Sequence, residues 1–536
     1  MKMAIKMEFD TLIIGGKIVD GTGNPWFYAD IGIKNGKIVA MGKLRNAEAE
    51  QIITAEGLIV CPGFIDIHSH SDYTLLVNPK AESKIRQGVT TEIVGNCGSS
   101  AAPLIGEMKE RAVEIAELYG LKVDWTYVDE YLKKLEENGV ALNVATLVGF
   151  ANIRIAVLGY ENREPTKYEL EEMKALVARS IDEGAVGLST GLRYDPQSYA
   201  KTEEVIEIAK VVAEKGGIYT SHIRDEGDRG RLIEAIKEAI EIGEKAGISV
   251  EISHIKILAK PLWGKCDEML QLIENARARG VEVTADQYPY EASGTSLLAW
   301  IPKWAFEGGR DKLLERLLNP ETRAKIKEEL ARVMELRGGP ERALISRFEA
   351  DPTLEGLTVK QVAEKWKIPP DEAAIKLVEI ATKEKSSLGI INFNQSEENI
   401  VKIMKKPWVM VATDGYALAP YGSLARGVPH PRSYGTYPRV LGVYVRQMKV
   451  LRLEEAIRKM TSLPARKVGF MDRGILRPGF WADIVIFDPD KIIDKATYLE
   501  PKQYPEGIKF VLVNGELVIE EGEHTGKLPG KVLRKS

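Results

Sequence analysis

The two ends of the chain carry the alternating pattern that is typical of β-strands. Short apolar runs in the first sixty residues are separated by Gly-Gly, Asn-Gly and Pro-Gly turn signals. The far end repeats this pattern in ADIVIFDPD and IKFVLVNGELVIEEG. Because chain termini often lie close together, we expect both ends to form one small β-sandwich beside a central domain. This assigns residues 1–61 and 471–536 to the sandwich.

The centre of the chain alternates apolar runs with amphipathic helices. Val205, Ile208, Ala209 and Val212 follow the i, i+3, i+4, i+7 spacing that gives a helix one buried face. Strands that alternate with helices form a parallel sheet, and eight of them favour an α/β fold with a (β/α)₈ TIM barrel. An open, doubly wound sheet is the structural alternative. The eight runs are GFIDIHSHSD, TTEIVGNCG, LNVATLVGFANIR, AVGLSTGL, GIYTSHIRD, SVEISHIK, VEVTADQYPY and WVMVATDG.

Residues 303–385 interrupt this alternation between the seventh and eighth runs. They divide the expected barrel into 62–302 and 386–470. The segment is charged and has a helical pattern, as in RDKLLERLLNPETRAKIKEELARVMELRGG. We interpret it as a helical insertion in a loop on the face where barrel enzymes carry their active sites. A lid over the site and a solvated helical decoration explain the pattern equally well.

Composition narrows the classes of protein that the chain can be. Of its 536 residues, 44% are hydrophobic and 28% are charged, with a formal net charge of -4. This balance gives no reason to expect nucleic acid or a membrane as a partner, and it leaves homo-oligomer formation open. Three cysteines in so long a chain argue against a disulfide scaffold. Since neither a signal-peptide pattern nor a long apolar run is present, we expect a cytoplasmic protein.

Metal-binding residue types gather at the ends of the predicted strands. Four of the six histidines lie there, with His68 and His70 after the first run, His222 after the fifth and His254 after the sixth. Residues i and i+2 of a strand point to the same side, so the first two can reach one ion. A lone histidine in a barrel is usually structural, but four at equivalent strand ends favour a site for zinc, copper, iron or nickel. Beside them, Cys97 is predicted to be a thiolate ligand instead of a small buried hydrophobe.

Asp414 ends the eighth run, in the sequence VATDG. An aspartate before glycine can simply form a turn. Near a metal it can instead accept a proton from water, whose pKa the metal lowers towards about 7, and return that proton to a leaving group. We predict the second role.

These residues resemble the pattern of the amidohydrolase superfamily, with His-x-His after strand one, histidines after strands five and six, and Asp after strand eight. More closely, the chain resembles the N-acyl-D-amino-acid deacylases, also called D-aminoacylases, over nearly its whole length and in the same order. The matching segments are GFIDIHSHSD, GVTTEIVGNCGSS, GLSTGLRYDP, YTSHIRDEGD, ISHIKILAKPLWGK, ADQYPYEASGT, ATDGYAL, HPRSYGTYPRVLG and TSLPARKVGFMDRGILRPGFWADIVIFDPD.

The resemblance implies zinc as the cofactor. Many amidohydrolases bridge two metals with a lysine on strand four, but the fourth run here, AVGLSTGL, has none. In the deacylase branch a cysteine after strand two takes the bridging role, and Cys97 occupies that position. The resemblance thus implies one tight zinc site and a second, weaker position, and it leaves open whether one or two ions are bound. The tight ligands would be Cys97, His222 and His254, and the weaker ones His68, His70 and Asp414.

The resemblance also implies substrate contacts. Arg432 matches the arginine that clamps the substrate carboxylate, a task that suits a guanidinium fork. Tyr194 and Tyr288 match tyrosines near the scissile carbonyl, and Lys256 matches a substrate-contacting lysine. Ser293 matches a substrate-contacting serine, although this chain reads Ser-Gly-Thr where the family often has Gly-Ser-Thr. Outside the motifs, an ion-paired arginine, packed tyrosines and a solvated lysine would be the ordinary interpretations.

Taken together, these features predict a zinc-dependent amidohydrolase that cleaves N-acyl-D-amino acids into a carboxylate and a free D-amino acid. The D preference comes from the resemblance alone. A cyclic amidase acting on hydantoins or dihydropyrimidines and a D-specific dipeptidase are alternative enzymes. A non-catalytic barrel that serves as a scaffold is the alternative of another class.

Overall fold

Strands dominate the two ends of the chain, and strands alternate with helices through its middle. The structure, a computed structural model, describes residues 8–535. Its strands are β1 (Glu8–Ile18), β2 (Phe27–Lys34), β3 (Lys37–Gly42), β4 (Glu48–Thr54), β5 (Ile59–Pro62), β6 (Phe64–Asp66), β7 (Val89–Val94), β8 (Asn143–Thr146), β9 (Val148–Gly149), β10 (Gly187–Gly191), β11 (Ile218–His222), β12 (Val250–Ile252), β13 (Val283–Gln287), β14 (Ser293–Ser296), β15 (Ala343–Phe348), β16 (Leu388–Asn392), β17 (Val409–Val411), β18 (Ile484–Phe487), β19 (Ile508–Val513), β20 (Glu516–Glu520) and β21 (Glu523–His524).

The helices lie mainly between the central strands and in the segment before β16. They are α1 (Thr74–Val77), α2 (Glu82–Ile85), α3 (Glu107–Glu117), α4 (Val128–Asn138), α5 (Phe150–Leu158), α6 (Lys167–Asp182), α7 (Thr202–Glu214), α8 (Leu232–Ala246), α9 (Cys266–Ala278), α10 (Lys303–Phe306), α11 (Arg310–Leu318), α12 (Pro320–Leu336), α13 (Val359–Trp366), α14 (Pro370–Lys383), α15 (Glu397–Met404), α16 (Arg432–Arg439), α17 (Leu453–Met460) and α18 (Ser462–Val468). A π-helical segment, Val440–Gln447, continues α16.

Strands from both ends of the chain join in one sheet. Within the described residues this sheet has nine strands, in the order β21-β20-β19-β18-β5-β1-β2-β3, with β4 paired to β1. The two ends meet where β18 runs antiparallel to β5, with Val485 opposite Cys61. Isoleucine and valine side chains from both ends fill its interior, so neither end could bury its apolar face alone. The expected sandwich also included residues 1–7 and 536, which lie outside the described residues.

The central strands form two parallel sheets, which we call the first and second arcs. The first arc is β6-β7-β8, and the second is β9-β10-β11-β12-β13-β17. Only Leu147 separates β8 from β9 along the chain. The outer strands β6 and β17 approach each other through a parallel bridge between Ser69 and Gly415. The carboxyl ends of the strands in both arcs therefore meet around a common region.

The central helices pack one apolar face against the arcs. Val205, Ile208, Ala209 and Val212 on α7 are all fully buried, so the face predicted for this helix is confirmed. Burial of a valine or isoleucine side chain contributes about 1.5–3 kcal/mol.

None of the helices in residues 8–535 combines the length and the apolar character needed to cross a lipid bilayer.

The segment before β16 forms a unit with its own core. It contains α10 to α14, but β14, β16 and β15 also form an antiparallel sheet, with Ser293 opposite Asn392. The prediction of helices alone was therefore wrong, and the sheet extends beyond residues 303–385 on both sides. The pattern along the chain did not indicate these strands because their pairing joins distant residues. The core of this unit includes Leu297, Trp300, Leu330, Val362 and Leu377.

Candidate metal and catalytic site

The thiol of Cys97 lies at the centre of three imidazole rings. Its Sγ is 3.4 Å from His68 Nε2, 3.4 Å from His254 Nε2 and 3.6 Å from His222 Nδ1. The four residues follow or end β7, β6, β12 and β11, respectively. Four strand ends that are distant in sequence thus bring one sulfur and three nitrogens together.

The carboxylate of Asp414 forms a second part of the same cluster. Its Oδ1 is 3.0 Å from His70 Nε2 and 3.5 Å from His68 Nε2, and its Oδ2 is 2.8 Å from Arg432 Nη1. His68 therefore faces both the thiol and the carboxylate. Three groups have ligand atoms within 4.8 Å of one another: His68, His70 and Cys97; Cys97, His222 and His254; and His68, His254 and Asp414.

The backbone is strained at three residues of this cluster. Cys97, His254 and Asp414 have φ angles of 54°, 37° and 48°. Residues with a Cβ rarely adopt this left-handed conformation, and such residues concentrate at functional sites, where the surrounding structure enforces them. The amide of Asp414 donates a 2.9 Å hydrogen bond to the carbonyl oxygen of His68, which ties two ligand-bearing loops together.

Burial sets the charge of the imidazoles. It penalises the imidazolium form and lowers the pKa of His68 to about 3 and the pKa values of His222 and His254 to about 4. These rings are therefore neutral near pH 7, which is the form that ligates metals.

The thiol and the carboxylate of the cluster respond differently to burial. Burial raises the pKa of the Cys97 thiol, and nearby Asp414 raises it further. Burial alone would also raise the pKa of Asp414, but the Arg432 guanidinium and the hydrogen bond from His70 act against it, and this pKa lies well below its ordinary value. The site thus combines neutral imidazoles, an ionised carboxylate and a thiol that needs a cation to ionise.

Sequence and structure comparisons place this chain among known proteins. A model of the amidohydrolase family matches residues 51–519. The D-aminoacylase of Alcaligenes xylosoxydans xylosoxydans is 35% identical over 537 residues, which cover 100% of both chains. The chain belongs to the amidohydrolase family. The N-acyl-D-glutamate deacylase of the same organism is also 35% identical to this amidohydrolase, over 528 residues that cover 98% of this chain and 97% of the relative.

A solved structure extends the likeness to the fold. The crystal structure of N-acyl-D-glutamate deacylase from Bordetella bronchiseptica, in complex with zinc and a phosphonate inhibitor, matches with a TM-score of 0.84 and 35% sequence identity. The match covers 99% of this chain and 100% of the other. This amidohydrolase therefore has the α/β fold of its D-amino-acid deacylase relatives and belongs with them within the family.

The donor set of this amidohydrolase fits a metal ion. Thiolate sulfur, imidazole nitrogen and carboxylate oxygen are the ligands that zinc takes in proteins. A dication beside Cys97 would also offset the penalty for ionising a buried thiol, since a coordinating thiol loses its proton. The residues present thus fit the metal that the sequence predicts.

Two of the predicted substrate residues lie together at the carboxylate side of the cluster. The guanidinium of Arg432 pairs with Asp414 and lies 4.7 Å above the centre of the Tyr288 ring. The Tyr288 hydroxyl accepts a 3.1 Å hydrogen bond from Gln395 Nε2. Tyr194 lies on the other side, with its ring edge-on to His222 at 4.9 Å between ring centres.

The other two predicted substrate residues have different surroundings. The ammonium of Lys256 is buried and contacts Glu226 and His254 instead of solvent. Ser293 begins β14, and its buried hydroxyl has no hydrogen-bond partner within residues 8–535. An unpartnered buried hydroxyl beside a site is available to a ligand.

Sequence reasoning missed two carboxylates that contact the predicted ligands. Glu226 contacts His222 and His254, while Asp286 lies 3.3 Å from His68 Nδ1 and accepts a 2.8 Å hydrogen bond from the His254 amide. Both follow or end central strands and lie inside motifs that resemble the family. The rule that places ligands at strand ends would have identified them, had it been applied to carboxylates as well as to histidines.

Proposed function

We propose that this amidohydrolase is a zinc-dependent deacylase that hydrolyses the amide bond of N-acyl-D-amino acids. The observation that carries the proposal is the convergence of the Cys97 thiol, four imidazoles and the Asp414 carboxylate at one set of strand ends. The full-length likeness to deacylases of N-acyl-D-amino acids supports the substrate class.

Zinc would be held at one tight and one weaker position. The tight position uses Cys97, His222 and His254, and the weaker one uses His68, His70 and Asp414. Bound zinc would supply Lewis acidity, which polarises an acyl carbonyl and acidifies water.

Asp414 performs the proton transfers in this proposal. As water attacks the acyl carbon, the carboxylate accepts a proton from it. When the amide C–N bond breaks, the same carboxyl group returns a proton to the departing nitrogen, which leaves as the amine of the D-amino acid. Its contact with His70 and its pairing with Arg432 hold it at the cluster in the ionised form that this role needs.

Arg432 orients the substrate. Asp414 Oδ2 lies 2.8 Å from its Nη1, and the other donors of the guanidinium fork would bind the carboxylate of an N-acyl-amino acid. Gly294 leaves room beside this fork, because a Cβ there would lie only 3.3 Å from Arg432 Nη2. The neighbouring Ser293 and the Tyr288 ring complete the surroundings of the bound carboxylate.

We infer in addition that the two arcs close into one (β/α)₈ barrel. The single-residue gap at Leu147 and the bridge between Ser69 and Gly415 support closure at both junctions. In this organisation the sheet from both chain ends lies beside the barrel, and the insertion spans residues 293–392. The insertion then borders the site through Ser293.

A panel of N-acetyl-D-amino acids and N-acetyl-L-amino acids, followed by amine release with and without a chelator, tests the function. We expect chelator-sensitive release of D-amino acids only. Ring opening of hydantoin without hydrolysis of the linear amides would favour the cyclic amidase instead. Protein that retains zinc but releases no amine from any substrate would favour the scaffold.

A further inference from the structure

Glu226 lies between two of the predicted zinc ligands. It follows His222 by four residues and is 3% exposed. Its Oε2 is 3.3 Å from His222 Nε2, and its Oε1 is 3.2 Å from His254 Nδ1. One buried carboxylate therefore contacts two imidazole rings that come from neighbouring strands.

The nitrogens that face Glu226 are those that do not face the thiol. His222 presents Nδ1 to Cys97, whereas His254 presents Nε2. A histidine that ligates a metal through one ring nitrogen is oriented by a hydrogen bond from the other, and the acceptor fixes both the tautomer and the ring plane. Glu226 is the carboxylate that faces both of these nitrogens, and His222 Nε2 has no hydrogen-bond partner among the residues that the structure describes.

We propose that Glu226 is the positioning residue that orients His222 and His254 towards a shared zinc ion. The proposal rests on the metal site of the proposed function, and it concerns how firmly that site holds zinc. It also explains why the two rings present opposite nitrogens to the thiol, since both of the remaining nitrogens face the same carboxylate.

Lys256 completes this arrangement. Its ammonium contacts the same Glu226 oxygen that faces His254, lies 2.7 Å from His254 Nδ1 and donates a 3.0 Å hydrogen bond to the His254 carbonyl oxygen. An isolated charge in a buried site is costly, so the ammonium allows Glu226 to stay ionised beside two neutral rings. Lys256 thus supports the two ligands through Glu226.

A purely structural ion pair is the competing explanation, and zinc affinity separates the two. In the variant Glu226→Gln the side chain keeps its size but offers one oxygen, so it can accept from only one ring. We expect zinc affinity, measured by competition with a chelator of known strength, to fall about 10–100-fold. The matched control is Glu204→Gln, which breaks another buried pair, with Arg154 at 3.1 Å between charged atoms, on helices away from the cluster.

The control should weaken folding while leaving zinc affinity within about twofold of wild type. Wild-type zinc affinity in Glu226→Gln, or an equal loss of affinity in both variants, would overturn the proposal. Should Glu226→Gln fail to fold, Glu226→Asp keeps the charge but is too short to reach both rings. Its expected zinc affinity lies between those of wild type and the ten-fold loss, and an unchanged affinity overturns the proposal as well.

Zinc binding and hydrolysis are read separately, so the two hypotheses can fail separately. If wild-type protein binds zinc but hydrolyses no N-acyl-D-amino acid, the proposed function fails while the Glu226 assignment is still decided by the affinities. If wild-type protein hydrolyses these substrates and Glu226→Gln binds zinc normally, only the positioning role fails. Wild-type protein that binds no zinc would refute both.

Discussion

Cys97 joins three of the predicted ligands, and its own backbone is strained. It faces three imidazoles with its sulfur and adopts a left-handed φ of 54°. Such strain persists only where surrounding contacts enforce it. The serine hydroxyl of Ser189 supports the loop by accepting a 2.9 Å hydrogen bond from the Gly98 amide. The position of this sulfur therefore depends on the contacts that hold the strained backbone of its loop.

Replacing Cys97 with alanine should release the metal. Loss of a hydrogen-bond partner of a ligand lowers metal affinity about 10–100-fold, and loss of the ligand itself should cost more. Elemental analysis of the purified variant after dialysis measures the effect. Zinc content equal to wild type would contradict the role of Cys97, provided that both proteins unfold at similar temperatures.

Replacing Asp414 with asparagine should separate metal binding from turnover. The tight position does not use this carboxylate, so we expect zinc to be retained while kcat falls about 10²–10⁴-fold, as for loss of a general acid–base group. Amine release from N-acetyl-D-amino acids measures the rate. Turnover close to wild type would exclude Asp414 as the proton carrier.

At the scale of single residues, the sequence identified the site's donors but not their partners. Four histidines and Cys97 were predicted as ligands from residue type and position at strand ends, and Asp414 as a ligand from the family resemblance; the structure brings all six into one cluster. Glu226 and Asp286 were missed, and so were the contacts that Lys256 makes with Glu226 and His254. A side chain's partner depends on the distance between atoms from separate strands, which no local pattern contains.

At the scale of secondary-structure elements, one buried lysine links several of the segments that carry the site. Lys84 on α2 is fully buried and contacts Asp66 of β6 at 2.7 Å, Glu92 of β7 at 2.5 Å and Thr413 after β17 at 2.8 Å. The Lys84 ammonium thus links helix α2 to β6, to β7 and to the loop that carries Asp414. Burial alone would lower the pKa of Lys84, but Asp66 and Glu92 raise it above the ordinary value, so the group stays charged.

Replacing Lys84 with methionine should destabilise the fold strongly. It leaves two buried carboxylates without their counter-charge, and breaking a buried pair in this way costs about 3–5 kcal/mol. Chemical unfolding measures the loss. Lys134→Met, which removes a surface lysine 3.2 Å from Asp124, is the control and should leave the free energy of unfolding nearly unchanged. Equal losses in the two variants would show that the buried cluster has no special role.

The pattern of apolar and polar residues predicted some helices and strands well and missed others. The buried face of α7 followed from its apolar spacing because a helix repeats every 3.6 residues. The sheet of the insertion did not, since β14 and β15 both depend on β16 for their hydrogen bonds. Strands whose partners lie far along the chain are selected by pairing, and their own sequences carry little sign of it.

At the scale of the whole molecule, the C-terminal tail ties the end sheet to the central domain. Gly530 donates a 2.8 Å hydrogen bond to the Val140 carbonyl oxygen, and Leu533 donates one of 2.7 Å to that of Val144. Asn514 Nδ2 reaches Asn143 Oδ1 at 2.8 Å. The last described residues therefore form backbone hydrogen bonds beside the start of β8 and extend the first arc.

Gly530 permits this docking because the backbones approach closely. A Cβ at this residue would lie 2.0 Å from the Leu142 carbonyl oxygen. Gly530→Ala should therefore displace the tail and lower the free energy of unfolding by about 1–3 kcal/mol, in the range of overpacking. A lower unfolding temperature and earlier proteolysis near the C-terminus would be the signs. Gly264→Ala, where a Cβ meets nothing within 4 Å, should leave both measurements unchanged.

The sequence by itself determined the order of the central strands along the chain, the buried face of the helix between two of them, and the types of residue that lie at the strand ends. These are local properties, because hydrophobic period and position at the end of a run are read within about ten residues. The likeness to the D-amino-acid deacylases was also carried by short motifs of this kind.

Only the tertiary structure decided which atoms meet. His70 and Asp414 come together across 344 residues, Glu226 faces two rings from neighbouring strands, and both chain ends share one sheet. Contacts of this kind arise when packing brings distant strand ends to one region and burial forces their polar groups to find partners. That physical step supplied the carboxylates behind the ligands, the pairing of Arg432 with Asp414 and the strained loops that hold the site.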